Sequence, residues 1–212
     1  MTASPLQLGV LISGRGSNLL SLLHAEAAAR LDAKVRLVLS NRENAGGLVH
    51  ARARDVPTRV LSHKEYSTRE AYDEAVVLAL REAGVDFVVL AGFMRIVTPV
   101  LLDAFPGRVV NIHPSLLPAF PGTHAQAQAL AHGVKITGCT VHFVDSGTDT
   151  GPILAQTAVP VLDDDTEETL SGRILAAEHA LLPRALQWIA RGRVTLVPAQ
   201  DGARPRVIVR EE

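Results

Sequence analysis

The chain contains 212 residues, of which 47% are apolar and 20% carry a charge, and its formal net charge at pH 7 is -1. This length suits one well-buried core, the apolar content excludes a disordered chain, and the balanced charge excludes a general basic surface for nucleic acid. The single cysteine, Cys139, rules out an internal disulfide and is typical of a reducing compartment. One of the longest apolar or glycine runs, Phe87 to Met94, is far shorter than the roughly 20 residues that span a bilayer, and the N-terminus lacks a basic leader. We therefore expect a cytoplasmic protein without a membrane partner.

Strand-like apolar runs alternate with helical patterns along most of the chain. The predicted strands, in chain order, are Leu8–Ile12, Val35–Leu39, Arg59–Leu61, Val85–Leu90, Arg108–Ile112, Thr140–Val144 and Ile153–Val159. The predicted helices are one that runs to about Arg30, then Ala45–Arg54, Ser67–Ala83, Thr98–Phe105, Ala125–Ala131 and a long one that ends near Arg191. Alternating β and α units of this kind predict an α/β fold with a mostly parallel sheet and helices on both faces. We expect one domain over residues 1–212, in which about 194–212 form a C-terminal tail or a hairpin around Asp201-Gly202.

The helix predicted at Ser67–Ala83 has a clear amphipathic pattern. Thr68 stands where a capping side chain is expected, just before the periodic residues begin. The apolar face is predicted from four residues that recur at helical spacing, namely Ala71, Ala75, Leu78 and Ala79.

A glycine-rich loop, Gly14-Arg15-Gly16-Ser17-Asn18, joins the first predicted strand to the first helix. Glycines let the backbone approach an anion closely, and the free N–H groups at a helix start favour phosphate. The alternative is a tight turn in which Ser17 or Asn18 merely caps the helix, and the loop by itself does not separate the two interpretations. Leu19 occupies the place of the third glycine of a dinucleotide fingerprint, and no Gly-Lys-Ser/Thr ending makes this loop a P-loop.

The strongest candidates for chemistry are Asn111 and His113, which follow the apolar run Val109-Val110. Residues two apart on a strand project from one face, and Pro114 ends the strand because it has no N–H to donate. An amide and an imidazole therefore emerge side by side at a carboxyl end of the sheet, where open α/β folds bind ligands. The amide can donate to an oxyanion, and the imidazole can move protons near neutral pH. Asp149, in a glycine-rich loop, would favour the charged imidazole if it folded back, although, considered by itself, it fits an Asx-turn residue better.

The other histidines suggest no site. His142 lies in the strand predicted at Thr140–Val144, where it has two interpretations: it faces the site, or it is an ordinary sheet histidine, which we favour. The rest show no metal-ligand spacing, and one cysteine cannot supply a structural zinc site, so no metal is predicted. A Gly-x-Ser-x-Gly elbow is absent from the sequence, which leaves an acyl-enzyme mechanism unsupported.

With these residues in view, the sequence resembles the phosphoribosylglycinamide formyltransferase family, the folate-dependent glycinamide ribonucleotide transformylases of purine synthesis. The resemblance covers the chain from residue 8 to about 190. It is carried by Leu11-Ile12-Ser13-Gly14-Arg15-Gly16-Ser17-Asn18-Leu19, Ser40-Asn41-Arg42, Arg69-Glu70-Ala71-Tyr72-Asp73, Val89-Leu90-Ala91-Gly92-Phe93-Met94-Arg95-Ile96, Asn111-Ile112-His113-Pro114-Ser115-Leu116-Leu117-Pro118, Thr140-Val141-His142-Phe143-Val144, Asp149-Thr150-Gly151-Pro152 and Glu178-His179-Ala180.

The resemblance implies a seven-stranded Rossmann-like sheet and transfer of a formyl group from 10-formyltetrahydrofolate to the amine of glycinamide ribonucleotide, with no metal. The catalytic residues it implies are Asn111 and His113, with Asp149 raising the pKa of His113. The residues implied for glycinamide ribonucleotide are Gly16, Ser17 and Asn18, which hold its phosphate, together with Glu178. Those implied for the folate are Arg69, Met94, Arg95, Ile96, Val97 and Asn111, with Arg69 or Arg95 facing its glutamate carboxylate. We expect small-molecule partners only and a monomer or a homodimer.

Other functions remain open at this point. Formyltetrahydrofolate deformylase shares the Asn-x-His and Asp pattern but usually carries an N-terminal regulatory domain, whereas here the first strand begins near residue 7. Methionyl-tRNA formyltransferase has a further C-terminal domain and typically Arg-Gly where this chain has Pro121-Gly122. We disfavour both. A non-catalytic nucleotide-binding module would explain the first loop but would leave Asn111, His113 and Asp149 without a joint purpose.

Overall fold

The structure is a computed structural model that describes residues 4–199 and 205–210. Its strands are β1 (Leu6–Ile12), β2 (Ala33–Ser40), β3 (Thr58–Val60), β4 (Phe87–Leu90), β5 (Val109–His113), β6 (Ile136–Phe143), β7 (Ile153–Pro160), β8 (Val194–Val197) and β9 (Arg206–Val209). Its helices are α1 (Ser17–Ala27), α2 (Gly47–Arg52), α3 (Arg69–Glu82), α4 (Pro99–Ala104), α5 (Ala125–Ala131) and α6 (Glu167–Ala190), with a 3-10 turn at His63–Glu65.

Seven of these strands form one sheet in the order β3-β2-β1-β4-β5-β6-β7. Strand β1 runs parallel to β2 and to β4, and β2 runs parallel to β3, which is the arrangement that crossover connections through helices produce. The last pair, β6 and β7, is antiparallel. The predicted mostly parallel seven-stranded α/β sheet is therefore confirmed.

The chain forms two compact units, Met1–Val110 and Asn111–Glu212. The boundary falls within β5, immediately before Asn111. The prediction of one domain over 1–212 stays a prediction.

The core of the first unit forms around β1 and β4, whose residues are almost all buried, as the continuous apolar runs predicted. Helix α3 begins as expected, because the Thr68 side chain accepts a hydrogen bond from Ala71 N–H. The predicted apolar face of α3 was wrong at Leu78, which is exposed. The buried stripe instead contains Tyr72, Val76 and Leu80, spaced one turn apart.

The second unit contains β6, β7 and the long helix α6, which packs on both strands. A capping box begins α6: the Thr166 side chain accepts from Thr169 N–H, while the Thr169 hydroxyl accepts from Thr166 N–H. The tail forms the antiparallel pair β8 and β9, so the predicted strands are present, although the expected turn at Asp201-Gly202 lies outside the described residues. Within the described ranges, no helix is both long and apolar enough to cross a membrane.

Candidate active site

The glycine-rich loop of the first unit leads directly into α1. Gly16 is the residue before the helix, and its φ of 73° lies in the left-handed region that favours glycine. No side chain caps α1. The alternative in which Ser17 or Asn18 serves merely as the helix cap is therefore wrong, and these two residues instead form the first turn of α1, where backbone N–H groups face outward.

A second glycine brings another backbone segment against this loop. The N–H of Gly47, at the start of α2, donates to the carbonyl of Gly14 at 3.1 Å. A Cβ added to Gly16 would lie 2.4 Å from the Cα of Gly47, which is closer than any non-bonded contact allows. Two backbones thus meet where no side chain fits, and the loop keeps the narrow shape that a phosphate site at a helix start requires.

The predicted folate-binding residues of the first unit lie in two places. Arg69 is exposed at the first position of α3. In the segment after β4, Met94 and Ile96 are exposed while Val97 is buried. The guanidinium of Arg95 lies over the Tyr72 ring, 5.0 Å from its centre, a favourable cation–π contact that occupies this side chain. Arg69 is therefore the freer of the two arginines to meet a carboxylate.

In the second unit, the structure brings Asn111, His113 and Asp149 together. The nearer Asp149 carboxylate oxygen, Oδ2, lies 3.4 Å from Nδ1 of His113. The other oxygen, Oδ1, accepts a long hydrogen bond of 3.5 Å from Nδ2 of Asn111. His113 is buried, and Asp149 is held with a left-handed backbone at φ 55° by the loop that follows β6. The predicted folding back of the Asp149 loop is present.

Both nitrogens of His113 face acceptors. Nε2 lies 2.9 Å from the carbonyl oxygen of Phe120, and Nδ1 faces the Asp149 carboxylate. A carbonyl oxygen accepts hydrogen bonds only, so Nε2 of His113 donates in its contact with Phe120. Its Nε2–H is occupied by Phe120 in this conformation, so a substrate oxygen would have to replace that carbonyl.

His142 belongs to the same cluster, so its interpretation as an ordinary sheet histidine was wrong. Its Nε2 lies 3.2 Å from Asn111 Nδ2 and 3.6 Å from Asp149 Oδ1, and its Nδ1 lies 2.9 Å from the Phe143 carbonyl. The Phe143 carbonyl requires a proton on Nδ1, so in the neutral ring Nε2 accepts from the Asn111 amide. The β6–β7 register shifts between Val141 and His142, and such irregularities re-aim side chains near sites. The alternation of Thr140 and His142 on one strand was the signal available in the sequence.

The Asp149 carboxylate is stabilised as an anion. Burial alone would raise the pKa of Asp149, but a hydrogen bond from His142, which exists only when its ring is also protonated at Nε2, and a hydrogen bond from Gly122 N–H oppose it, as do the positive charges of His113 and His142 when protonated. The net result is a pKa below the ordinary value for Asp149. The Gly122 N–H bond, at 2.8 Å, also ties the Pro- and Gly-rich loop to the carboxylate.

Thr140 fixes the start of that loop. Its hydroxyl donates to the Ser115 carbonyl at 2.6 Å and accepts from Leu117 N–H at 3.0 Å and from Gln156 Nε2 at 3.0 Å. Thr140 is fully buried, so these bonds form away from competing water. The loop that carries Phe120 over His113 thus begins from a rigid base.

Glu178, predicted to contact glycinamide ribonucleotide, lies on the buried face of α6. Burial, and then the negative charge of Glu178, raise the pKa of the Cys139 thiol to about 12. The charge of Glu178 therefore affects Cys139, which lies on β6, the strand that also carries His142. Across the described parts of the chain, no group of three or more His, Cys, Asp or Glu side chains could hold a metal ion.

Comparisons with known proteins identify the family of this chain. Residues 6–186 match the formyl transferase family. The chain is 50% identical to phosphoribosylglycinamide formyltransferase of Mycobacterium tuberculosis over 92% of its own length and 90% of that protein. A crystal structure of glycinamide ribonucleotide transformylase 1 from Symbiobacterium toebii superposes with a TM-score of 0.93 at 47% identity, covering 99% of this chain and 96% of that one.

A longer relative shares the same sequence region. The trifunctional purine biosynthetic protein adenosine-3 of Drosophila melanogaster is 48% identical over 91% of this chain, which spans only 14% of that relative. The two bacterial relatives, in contrast, are matched over 90% and 96% of their own length. The chain belongs to the formyl transferases and, within them, to the phosphoribosylglycinamide formyltransferase family.

Proposed function

We propose that this chain transfers the formyl group of 10-formyltetrahydrofolate to the amine of 5-phosphoribosylglycinamide in purine biosynthesis. The observation that carries the proposal is the cluster of Asn111, His113 and Asp149, in which one carboxylate contacts both an amide donor and an imidazole. Such a cluster can stabilise an oxyanion and move a proton, which are the two needs of acyl transfer between amines.

In the proposed step, the glycinamide nitrogen attacks the formyl carbon and the carbonyl electrons move onto the formyl oxygen. Asn111 Nδ2–H and protonated His113 donate to that oxyanion, with the oxygen replacing the Phe120 carbonyl as the acceptor of His113 Nε2–H. The C–N10 bond then breaks, the carbonyl reforms, and N10 gains the proton that the attacking nitrogen loses. Asp149 relays that proton directly or through water and keeps His113 charged.

The proposed role of Asn111 depends on how its two amide hydrogens are used. One of them lies on the 3.2 Å line to His142 Nε2, while the other lies on the 3.5 Å line to Asp149. The longer bond is the weaker one, so its hydrogen is the one available to an oxyanion. His142 would then keep the amide plane aligned during the reaction.

Substrate binding is proposed from residues in each unit. Gly16, Ser17 and Asn18 would hold the ribonucleotide phosphate by backbone N–H groups and side-chain donors, and Glu178 would contact the same substrate. The folate would contact the exposed part of the segment Met94 to Val97, with Asn111 at its formyl end. Its glutamate carboxylate would face Arg69, whose guanidinium, unlike that of Arg95, has no partner among the described residues.

The test is a spectroscopic assay of 10-formyltetrahydrofolate consumption with and without glycinamide ribonucleotide. We expect consumption that depends on the amine, and a loss of about 10²–10³-fold in turnover for His113→Ala, because an oxyanion donor is typically worth that much. His50→Ala provides a control, since this histidine lies on α2 and belongs to none of the proposed sites. A folded His113→Ala protein with turnover near that of the unchanged chain would disprove the assigned role.

The same assay separates the alternatives. Consumption in water alone, unaffected by the amine, would indicate the deformylase, which directs water at the same formyl carbon. Binding of both substrates without turnover would indicate a nucleotide-binding module. We also propose that the chain acts in the cytoplasm on small molecules, as its balanced charge and single cysteine support.

A further inference from the structure

A buried hydroxyl holds the segment that follows β4. The N–H of Met94 donates to the Ser13 Oγ at 2.8 Å, and the Ser13 N–H donates to the Gly92 carbonyl at 3.1 Å. Ser13 is 3% exposed and directly follows β1. The side chain and backbone of one residue therefore fix two points of the Gly92–Met94 turn.

Asn41 sets the direction of this hydrogen bond. The Ser13 hydroxyl donates to the Asn41 Oδ1 at 2.7 Å, and Asn41 is 4% exposed at the end of β2. Because the single hydroxyl hydrogen is used on Asn41, the oxygen lone pairs of Ser13 remain for Met94 N–H. Asn41 Nδ2 in turn lies 3.4 Å from Nδ1 of His63, which limits rotation of the amide. The chain of bonds runs from Met94 through Ser13 to Asn41.

The other end of the segment is held as firmly. The buried Asp73 carboxylate on α3 accepts from both the N–H and the hydroxyl of Thr98, at 2.6 and 2.8 Å. Between the two anchored ends, Met94 is 64% exposed and Ile96 is 55% exposed. Two large apolar side chains are thus presented to solvent on a backbone that has little freedom to collapse and bury them.

We propose that Ser13 and Asn41 are positioning residues for the formyl donor, holding the Met94–Val97 backbone in the shape that the folate requires. This inference rests on the proposed assignment of that segment to the folate. Ordering a flexible loop at the moment of binding costs affinity, and a segment ordered beforehand avoids that cost. Neither residue needs to touch the folate for this effect. The formyl donor should therefore bind more weakly when the bonds are removed, whereas binding of the ribonucleotide phosphate should hardly change.

The chain offers a matched control for Ser13→Ala. Ser40 is also buried and lies at the end of the neighbouring strand, but among the described residues its hydroxyl bonds only to Arg42 in its own loop. Ser13→Ala and Ser40→Ala therefore delete the same atom at similarly buried sites. Only Ser13→Ala removes the acceptor for Met94 N–H.

A second pair of variants tests Asn41. Asn41→Asp keeps an acceptor for the Ser13 hydroxyl, whereas Asn41→Leu has a similar size and no acceptor. If the bond directs Ser13, Asn41→Asp should retain folate binding close to that of the unchanged chain and Asn41→Leu should resemble Ser13→Ala. Thermal unfolding of each variant identifies those that remain folded at the assay temperature.

The experiment measures calorimetric binding of tetrahydrofolate together with the KM of each substrate. We expect Ser13→Ala and Asn41→Leu to weaken tetrahydrofolate binding about fivefold to tenfold, the size of one hydrogen bond's net contribution, with the ribonucleotide KM within twofold. Equal effects of Ser13→Ala and Ser40→Ala, or equal changes in both substrates, would overturn the inference. If the unchanged chain failed to bind tetrahydrofolate at all, the proposed function would fail first, which is a distinguishable result.

Discussion

Replacing Asp149 by Asn tests the proposed cluster most directly, because the change removes a charge and keeps the shape. The carboxylate oxygen Oδ2 accepts from Gly122 N–H at 2.8 Å, and an amide oxygen can keep that bond. The new amide nitrogen would then face Asn111 Nδ2 at about the place of the 3.5 Å contact, so that two donors meet. The variant therefore loses the charge beside His113 and also disturbs the amide of Asn111.

The size of the effect follows from the 3.4 Å separation of His113 Nδ1 and Asp149 Oδ2. At an effective dielectric constant of about 20, two unit charges at that distance attract by about 5 kcal/mol. Desolvation offsets part of this attraction, and the Phe120 carbonyl still accepts from His113 Nε2–H in the variant. A net loss of about 1.5–4 kcal/mol corresponds to roughly tenfold to 10³-fold in turnover.

The assay is amine-dependent formyl transfer at pH 7, with kcat and both KM values determined for the unchanged chain and for Asp149→Asn. We expect kcat to fall within that range while the KM for glycinamide ribonucleotide changes little, since that substrate is held by other residues. Chemical denaturation of both proteins checks that the variant is folded. A folded Asp149→Asn protein whose kcat stays within threefold of the unchanged value would show that the charge beside His113 is dispensable.

Three further predictions concern stability and binding. Gly16→Ala should lower the free energy of unfolding more than Gly84→Ala, because both glycines have positive φ but, of the two, only Gly16 lacks room for a Cβ. Gly16→Ala should also raise the KM for glycinamide ribonucleotide. Equal losses of the two variants in urea denaturation would contradict this. Thr140→Val should lower the free energy of unfolding by about 1–3 kcal/mol, because it leaves the buried hydrogen-bond partners of the Thr140 hydroxyl unpaired. The buried hydroxyl of Thr137 has no hydrogen-bond partner among the described residues, so Thr137→Val should be neutral or stabilising in the same experiment. Burial lowers the pKa of His179, so below about pH 6.5 this histidine takes up a proton in the unfolded chain more readily than in the folded one, and the free energy of unfolding should fall as the pH drops. Denaturation from pH 7.5 to 5.5 should show a shallower pH dependence of that free energy in His179→Gln. An unchanged pH dependence would refute this prediction.

The sequence predicted those features that depend on local geometry. Asn111 and His113 share a face because successive side chains alternate between the two faces of a strand. Thr68 caps α3 because its side-chain oxygen can accept from a backbone N–H three residues later in the same helix. The burial of β4 on both faces followed equally directly from an unbroken apolar run. In each case, the residues that determine the feature are neighbours in the chain.

The features that sequence reasoning missed depend on residues far apart in the chain. His142 joins the cluster where the β6–β7 register shifts, which depends on how β7 pairs and not on the residues around His142. The buried face of α3 includes Tyr72, whose ring contacts Tyr66 and Arg95. The neighbouring small residue Ala71 therefore contributes less to the core than its helical spacing predicted. The Phe120 carbonyl that accepts from His113 lies in a loop, and the conformation of a loop cannot be predicted from hydrophobic periodicity.

Asp149 has several neighbours around one carboxylate, and this limits what any single substitution can reveal. Its two oxygens lie near Gly122 N–H and His113 on one side and near Asn111 and His142 on the other. The same group therefore contacts the imidazole, accepts from the amide and ties down the loop. Residues that act as one unit lose part of their effect together, so the loss in turnover for Asp149→Asn combined with His113→Ala should be smaller than the product of the two single losses. A fully multiplicative loss in the double variant would mean that Asp149 acts on the reaction by a route that does not pass through His113.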